Sequence, residues 1–204
     1  GEYLEIGGLA VSSSGEVFIG GTYMGSTAKV ESTTLNASGS SSGRNVFLAQ
    51  FTTSGSLSWA YGYGSSYSEY IHEIALDSSG NIIAVGHADS NSASLGTGLS
   101  LNFGGPVNYF IAKASSSGSW NWVEGGSAHG WPWFENVGVA VDSNDNVVIT
   151  GNFGQWVTFG NTNLTGYSGD DTFIASLSSS RTWNWVAQAG NGSTSGDEVP
   201  YDIT

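Results

Sequence analysis

The sequence predicts an all-β fold built from tandem repeats, and three observations predict it. A pair of apolar β-type runs around a short turn is written three times, at residues 9–23 (LAVSSSGEVFIGGTY), 74–88 (IALDSSGNIIAVGHA) and 139–153 (VAVDSNDNVVITGNF). Leu9, Ile74, Val139 and Ile203 follow one another at intervals of 65, 65 and 64 residues, and self-similarity at a constant long period marks a repeat architecture. Thirty-one Gly, 13% aromatic and only 10% charged residues fit short strands joined by tight turns, and no window holds a sustained 3.6-residue apolar period. The units run over residues 1–67, 68–134 and 135–197, and residues 198–204 begin a fourth.

Each element follows in order. Residues 1–8 (GEYLEIGG) lead into the first strand, and a Ser/Asp-Gly-Asn type turn joins it to the second. The second strand (VFIGGTY, IIAVGHA, VVITGNF) is apolar on both faces, which calls for covering layers on both sides of its sheet. Gly21, Gly86 and Gly151 lie 65 apart within it, and a strand glycine marks a close backbone approach. The next part varies most, over residues 24–44, 89–108 and 154–172. In the first and third copies it carries a small hairpin with apolar residues five apart, Val30 to Leu35 and Phe159 to Leu164, while the middle segment of the second is irregular. Such loops on a common scaffold tolerate variation and gather function.

A second large hairpin closes each unit. Phe47, Phe110 and Phe173 open FLAQF, FIAKA and FIASL, and Trp59, Trp122 and Trp185 follow, each set spaced by 63 and 63. A tryptophan recurring at one register position is expected to be core, so Trp59, Trp122 and Trp185 are expected to be buried equivalents. Simple alternation puts Trp120 with Trp122, and Trp183 with Trp185, on one sheet face.

Four strands joined by short antiparallel turns form one four-stranded sheet that cannot bury both faces alone. Radial stacking solves this, so the expected fold is a β-propeller-type array of four-stranded antiparallel blades. The pattern IALDSSGNIIAVG, a TFG-and-NLT segment, DDTFIASL and WNWV, then a Gly-rich connector with Asp197-Glu198, resembles the β-propeller repeats of secreted and surface proteins in bacteria and archaea. The resemblance covers essentially the whole chain, and repeat one departs from it with Ser12 and Glu16 where Asp and Asn are usual. It implies an extracellular scaffold, adhesion or binding module, and it carries no shared catalytic motif.

The formal charge of −13 repels phosphate backbones and anionic membranes, so no nucleic-acid partner is expected. No apolar run approaches the roughly 18 residues needed to insert in a bilayer. The absence of cysteine removes disulfide and thiol chemistry.

Candidate chemistry is sparse. The run Asp142-Ser-Asn-Asp-Asn146 alternates oxygen ligands, but Val147 and Phe153 stand where a calcium loop needs Gly and Glu, and it reads as a turn. Loop carboxylates Asp170, Asp171, Asp197 and Glu198 are the remaining Ca2+ candidates. His72-Glu73 lacks the second His and the helix of a zinc protease motif. The segment around His129, Trp131, Trp133 and Phe134 has aromatics found in one connector only. These can stack on sugar rings or plug the end of the core. Asn36, Asn163 and Asn191 begin glycosylation sequons.

The expected function is a non-catalytic extracellular structural or adhesive module that assembles head-to-tail with further copies. Strand residues Val199, Tyr201 and Ile203 are expected to pair with the next subunit. A carbohydrate-binding propeller is the alternative.

Overall fold

The structure is a computed structural model. It describes residues 3–36, 43–95, 98–102, 104–105, 107–129, 137–166, 169–190 and 203, and these form strands and turns with no helix. The first repeat contains β1 (Tyr3–Val11), β2 (Val17–Met24), a small hairpin β3 (Thr27–Val30) and β4 (Thr33–Asn36), then β5 (Arg44–Phe51) and β6 (Leu57–Tyr63). The second contains β7 (Glu69–Leu76), β8 (Ile82–Ala88), β9 (Ser92–Ser94), β10 (Ser100–Asn102), β11 (Val107–Ala114) and β12 (Trp120–His129). The third contains β13 (Gly138–Val141), β14 (Val147–Phe153), β15 (Trp156–Phe159), β16 (Thr162–Thr165), β17 (Asp171–Leu177) and β18 (Trp183–Ala189).

Each repeat makes a four-stranded antiparallel sheet with strands in chain order once the small hairpin is set aside: β1-β2-β5-β6, β7-β8-β11-β12 and β13-β14-β17-β18. The middle sheet is extended to six strands because β15 of the third repeat pairs with the end of β12. The sheets are open, not closed on themselves.

They stack face to face, and the cores lie in the seams. Phe18, Val46, Leu48 and Tyr63 of the first sheet meet Ile74, Ile82, Phe110 and Trp120 of the second. Ile83, Val85, Tyr109 and Ile111 on the other face of the second sheet meet Val139, Ile149, Phe153 and Phe173 of the third. The inner strands β2, β8 and β14 are therefore buried on both faces, as their unbroken apolar runs require. The stack fans out. First strands β1, β7 and β13 approach one another closely, and the fourth strands β6, β12 and β18 do not. Side-chain size explains this: Gly7 and Gly8 admit the β7 backbone at the narrow edge, while Tyr63 and Trp120 fill the wide one with rings 5.3 Å apart.

Glycine in the second strand answers to the same crowding. A Cβ on Gly86 would stand 1.7 Å from the Tyr70 carbonyl oxygen, and one on Gly21 would stand 2.0 Å from that of Glu5.

Two expectations about tryptophan are corrected. A bulge between Lys113 and Ala114 places Trp122 opposite Lys113 and Trp120 opposite Ala114, so the two rings leave on opposite faces. Trp120 enters the first seam and Trp122 borders the second. The same bulge between Ser176 and Leu177 separates Trp183 from Trp185. Trp59 and Trp122 are partly buried, whereas Trp185, at the open end of the stack, is 48% exposed.

Candidate functional site

The seams repeat their chemistry residue by residue. At the narrow edge, a Cβ on Gly8 would stand 2.4 Å from the Ile74 amide nitrogen. In the second seam Glu73 holds the position of Gly8, and its Oε2 accepts from the Val139 amide at 2.8 Å. Ile71 N–H donates to Thr22 Oγ1 across the first seam at 3.2 Å. At the wide edge, the turn after β11 lies on the first sheet, where Tyr63 OH donates to the Gly118 carbonyl. The turn after β17 lies on the second sheet, where Arg181 is 3.6 Å from Glu124. The hairpin turns are linked as well: Ser78 donates through N–H and Oγ to the two oxygens of Asp145, both at 2.8 Å.

The two ends of the stack expose the positions that the seams bury. Leu9 is 59% exposed, while its equivalents Ile74 and Val139 are 3% and 4% exposed. Val11 is exposed beside it. At the other end Trp185 is exposed, and Val148 and Ile174 are only partly covered, whereas their equivalents Phe18, Ile83, Leu48 and Ile111 are fully buried. Of the strand residues expected to mediate assembly, Val199 and Tyr201 lie outside the described residues. Ile203 sits on its own third repeat beside Gly138, where a Cβ would stand 3.4 Å from the Ile203 nitrogen. That is the relation of Gly8 to Ile74.

Trp131, Trp133 and Phe134 lie outside the described residues, as does Asn191. His129 is exposed and ends strand β12 instead of lying in a loop, with its ring 6.0 Å from Trp156 at an interplanar angle of 23°. Asn36 is exposed at the base of the hairpin β3–β4, opposite Thr27, and Asn163 is exposed near the tip of the hairpin β15–β16. Asn163 Oδ1 accepts from Thr158 Oγ1 at 2.7 Å.

The Asp142 run is a turn: Asp142 Oδ2 accepts from the Asn146 side chain and Oδ1 from the amides of Asn146 and Asn144, and these bonds, the Asn146 side chain foremost, hold the carboxyl below its usual range. Asp197 and Glu198 fall outside the described residues, among which no three His, Asp or Glu side chains gather. In place of a metal cluster, sequence reading missed a network on the first hairpin of repeat two. His72 Nε2 and His87 Nδ1 share a hydrogen bond of 2.7 Å, and His87 Nε2 is 3.4 Å from Asp89. Tyr70 stacks on His87 at 4.2 Å and donates to Asp89 at 3.1 Å, and Arg44 of repeat one lies over Tyr70 at 5.1 Å. Burial, then the neighbouring His87, lowers His72 to about 3, and burial also lowers His87 against the pull of Asp89. Counting outward from the turn would put His72 and His87 on opposite faces. A bulge between Ile71 and Glu73 turns His72 to the face of His87.

A second missed feature is structural. Asn45, Asn108 and Asp171 recur 63 apart at the start of the third main strand, all buried. Asn45 donates to the Gly25 carbonyl at 2.7 Å, and Asn108 donates to the Gly105 carbonyl at 2.8 Å, so each clips a loop. The signal was legible as an Asn/Asp at constant period two residues before each Phe. No protein-family model and no curated protein matches the chain.

Proposed function

We propose that this chain is a non-catalytic, extracellular structural or adhesive module of β-propeller-type blades, stacking head-to-tail with further copies of its repeat into a ring or filament. The observation that carries this reading is the equivalence of seam and end: Leu9 and Trp185 are exposed at positions whose counterparts are covered wherever a neighbouring repeat is present. The fan shape supports it too, because sheets that converge at one edge and splay at the other build a curved array when more are added. An acidic, lysine-poor composition and the resemblance to secreted propeller repeats favour the extracellular setting. Of the perturbed histidines, His87 has both ring nitrogens partnered from within the fold, by His72 and Asp89.

Light scattering over a micromolar concentration series tests the reading. Masses that climb in steps above the 21.1 kDa chain are expected. A single 21.1 kDa species throughout the series overturns it. Electron micrographs of the same material separate rings from filaments.

A further inference from the structure

Resting on that reading, we propose that a second copy of this chain docks on the outward face of the third repeat in the register of the internal seams, its turn at residues 52–56 covering Trp185 and its Leu9 meeting Gly138.

The turn between the third and fourth main strands carries the first half of the argument. In repeat two a Cβ on Gly118 would stand 2.7 Å from Tyr61 Cδ2 and 2.9 Å from Trp59 Cζ3, so this turn lies directly on the aromatic pair of the preceding repeat. In repeat three the same turn position is Arg181, again left-handed with φ 65°, and it reaches Glu124, the equivalent of Tyr61. The third member is Gly55, with φ 79°, and nothing lies within 4 Å of its Cβ position. Its missing counterpart is at the far end of the molecule, where Trp185 and Ala187 occupy the positions of Trp59 and Tyr61 and are exposed. One end has a turn without its tryptophan, and the other has a tryptophan without its turn.

The narrow edge carries the second half. The amide of Ile74 meets Gly8 and that of Val139 meets Glu73, so the amide of an incoming Leu9 belongs at Gly138. Ile203 holds this seat within the chain. In the proposed contact an incoming β1 takes that seat from Ile203, arriving as a strand already paired with β2 from Tyr3 to Val11. Leu9 and Val11 then cover Val148 and Ile174, as Ile74 and Leu76 cover the first sheet. An interface that is heterologous in this way propagates, closing a ring or extending a filament according to its rotation.

Because the chain has no cysteine, Ser54→Cys with Ala187→Cys places a single pair of thiols across the proposed contact. Oxidation is expected to produce a ladder of covalent multimers from the double variant and none from Ala187→Cys alone. A second experiment uses Leu9→Glu and Trp185→Glu, both at exposed positions, with circular dichroism to verify the fold. Each variant alone is expected to lose about tenfold or more in self-association. Mixed in equal amounts they should form dimers and stop there, since only one face of each remains intact. Wild-type assembly without a cysteine ladder, or a mixture that stays monomeric, overturns this register and leaves the stacking reading standing. Full assembly by Leu9→Glu alone shows that β1 is not the docking strand and overturns it equally. A wild-type chain that is monomeric at every concentration overturns both.

Discussion

Trp120, Trp122 and Trp185 show how one residue type takes three roles from its surroundings. Trp120 packs in a seam, Trp122 borders one, and Trp185 lies open. Trp120→Ala is expected to cost about 3–5 kcal/mol in chemical denaturation, and Trp185→Ala in the monomer less than about 1 kcal/mol. Ionisable residues give a second contrast. Burial raises the Glu69 carboxyl to about 7, against hydrogen bonds from Ser65. Its folded pKa exceeds its unfolded value, so the native state holds the extra proton. Its contribution is favourable below about pH 4.5 and is lost as pH rises towards 7. Glu69→Gln should therefore raise the melting temperature at pH 8 and leave it nearly unchanged at pH 4. His72 runs the other way. Its pKa is lowered, so between about pH 6.5 and 3 the unfolded chain binds a proton that the native state refuses, and stability falls as pH drops. In Glu69→Gln, which removes the opposing carboxyl, His72→Gln should flatten the fall in melting temperature through this window.

At the scale of elements, the hairpin is the repeated unit and its turn is the most constant part. In the third copy Asp145 takes the left-handed position held by Gly15 and Gly80, with φ 59°, and gains a contact the glycines lack by accepting two hydrogen bonds from Ser78. Asp145→Ala keeps the backbone strain and loses both bonds, so it is expected to cost about 1–3 kcal/mol, measurable by urea denaturation. Asp145→Gly relieves the strain and should cost less. The second strand tolerates no addition at its glycine. Gly86→Ala would drive a methyl group into the Tyr70 carbonyl and is expected to destabilise by about 1–3 kcal/mol or more.

For the whole molecule, the stack has little beyond its seams to hold it. The middle sheet uses one face for the repeat before it and one for the repeat after, and among the described residues the small hairpin β3–β4 covers the starting face, its Ala28, Val30 and Leu35 packing with Tyr23 and Phe47. Cutting a seam therefore exposes two apolar sheet faces at once. Ile111→Asp, in the middle of the second seam, should abolish cooperative unfolding or aggregate the chain, whereas Ile174→Asp, the equivalent at the open end, should leave a folded monomer. Comparing their calorimetric traces checks this.

What the sequence by itself determined is the repeat length, the four main strands of each unit, the small hairpin of the first and third units, the doubly apolar second strand and the close-approach glycines. All of these follow from local period and composition, which survive in a linear string. What only the tertiary structure decided is which face each residue takes and what covers it. Bulges at Ile71/Glu73, Lys113/Ala114 and Ser176/Leu177 insert one residue and reverse the alternation, so His72 joined His87 and the paired tryptophans parted. No residue type announces such a bulge. Burial at Trp185 likewise depends on whether a sheet lies against it, and that is a property of the neighbour, absent from the tryptophan's own surroundings in the chain.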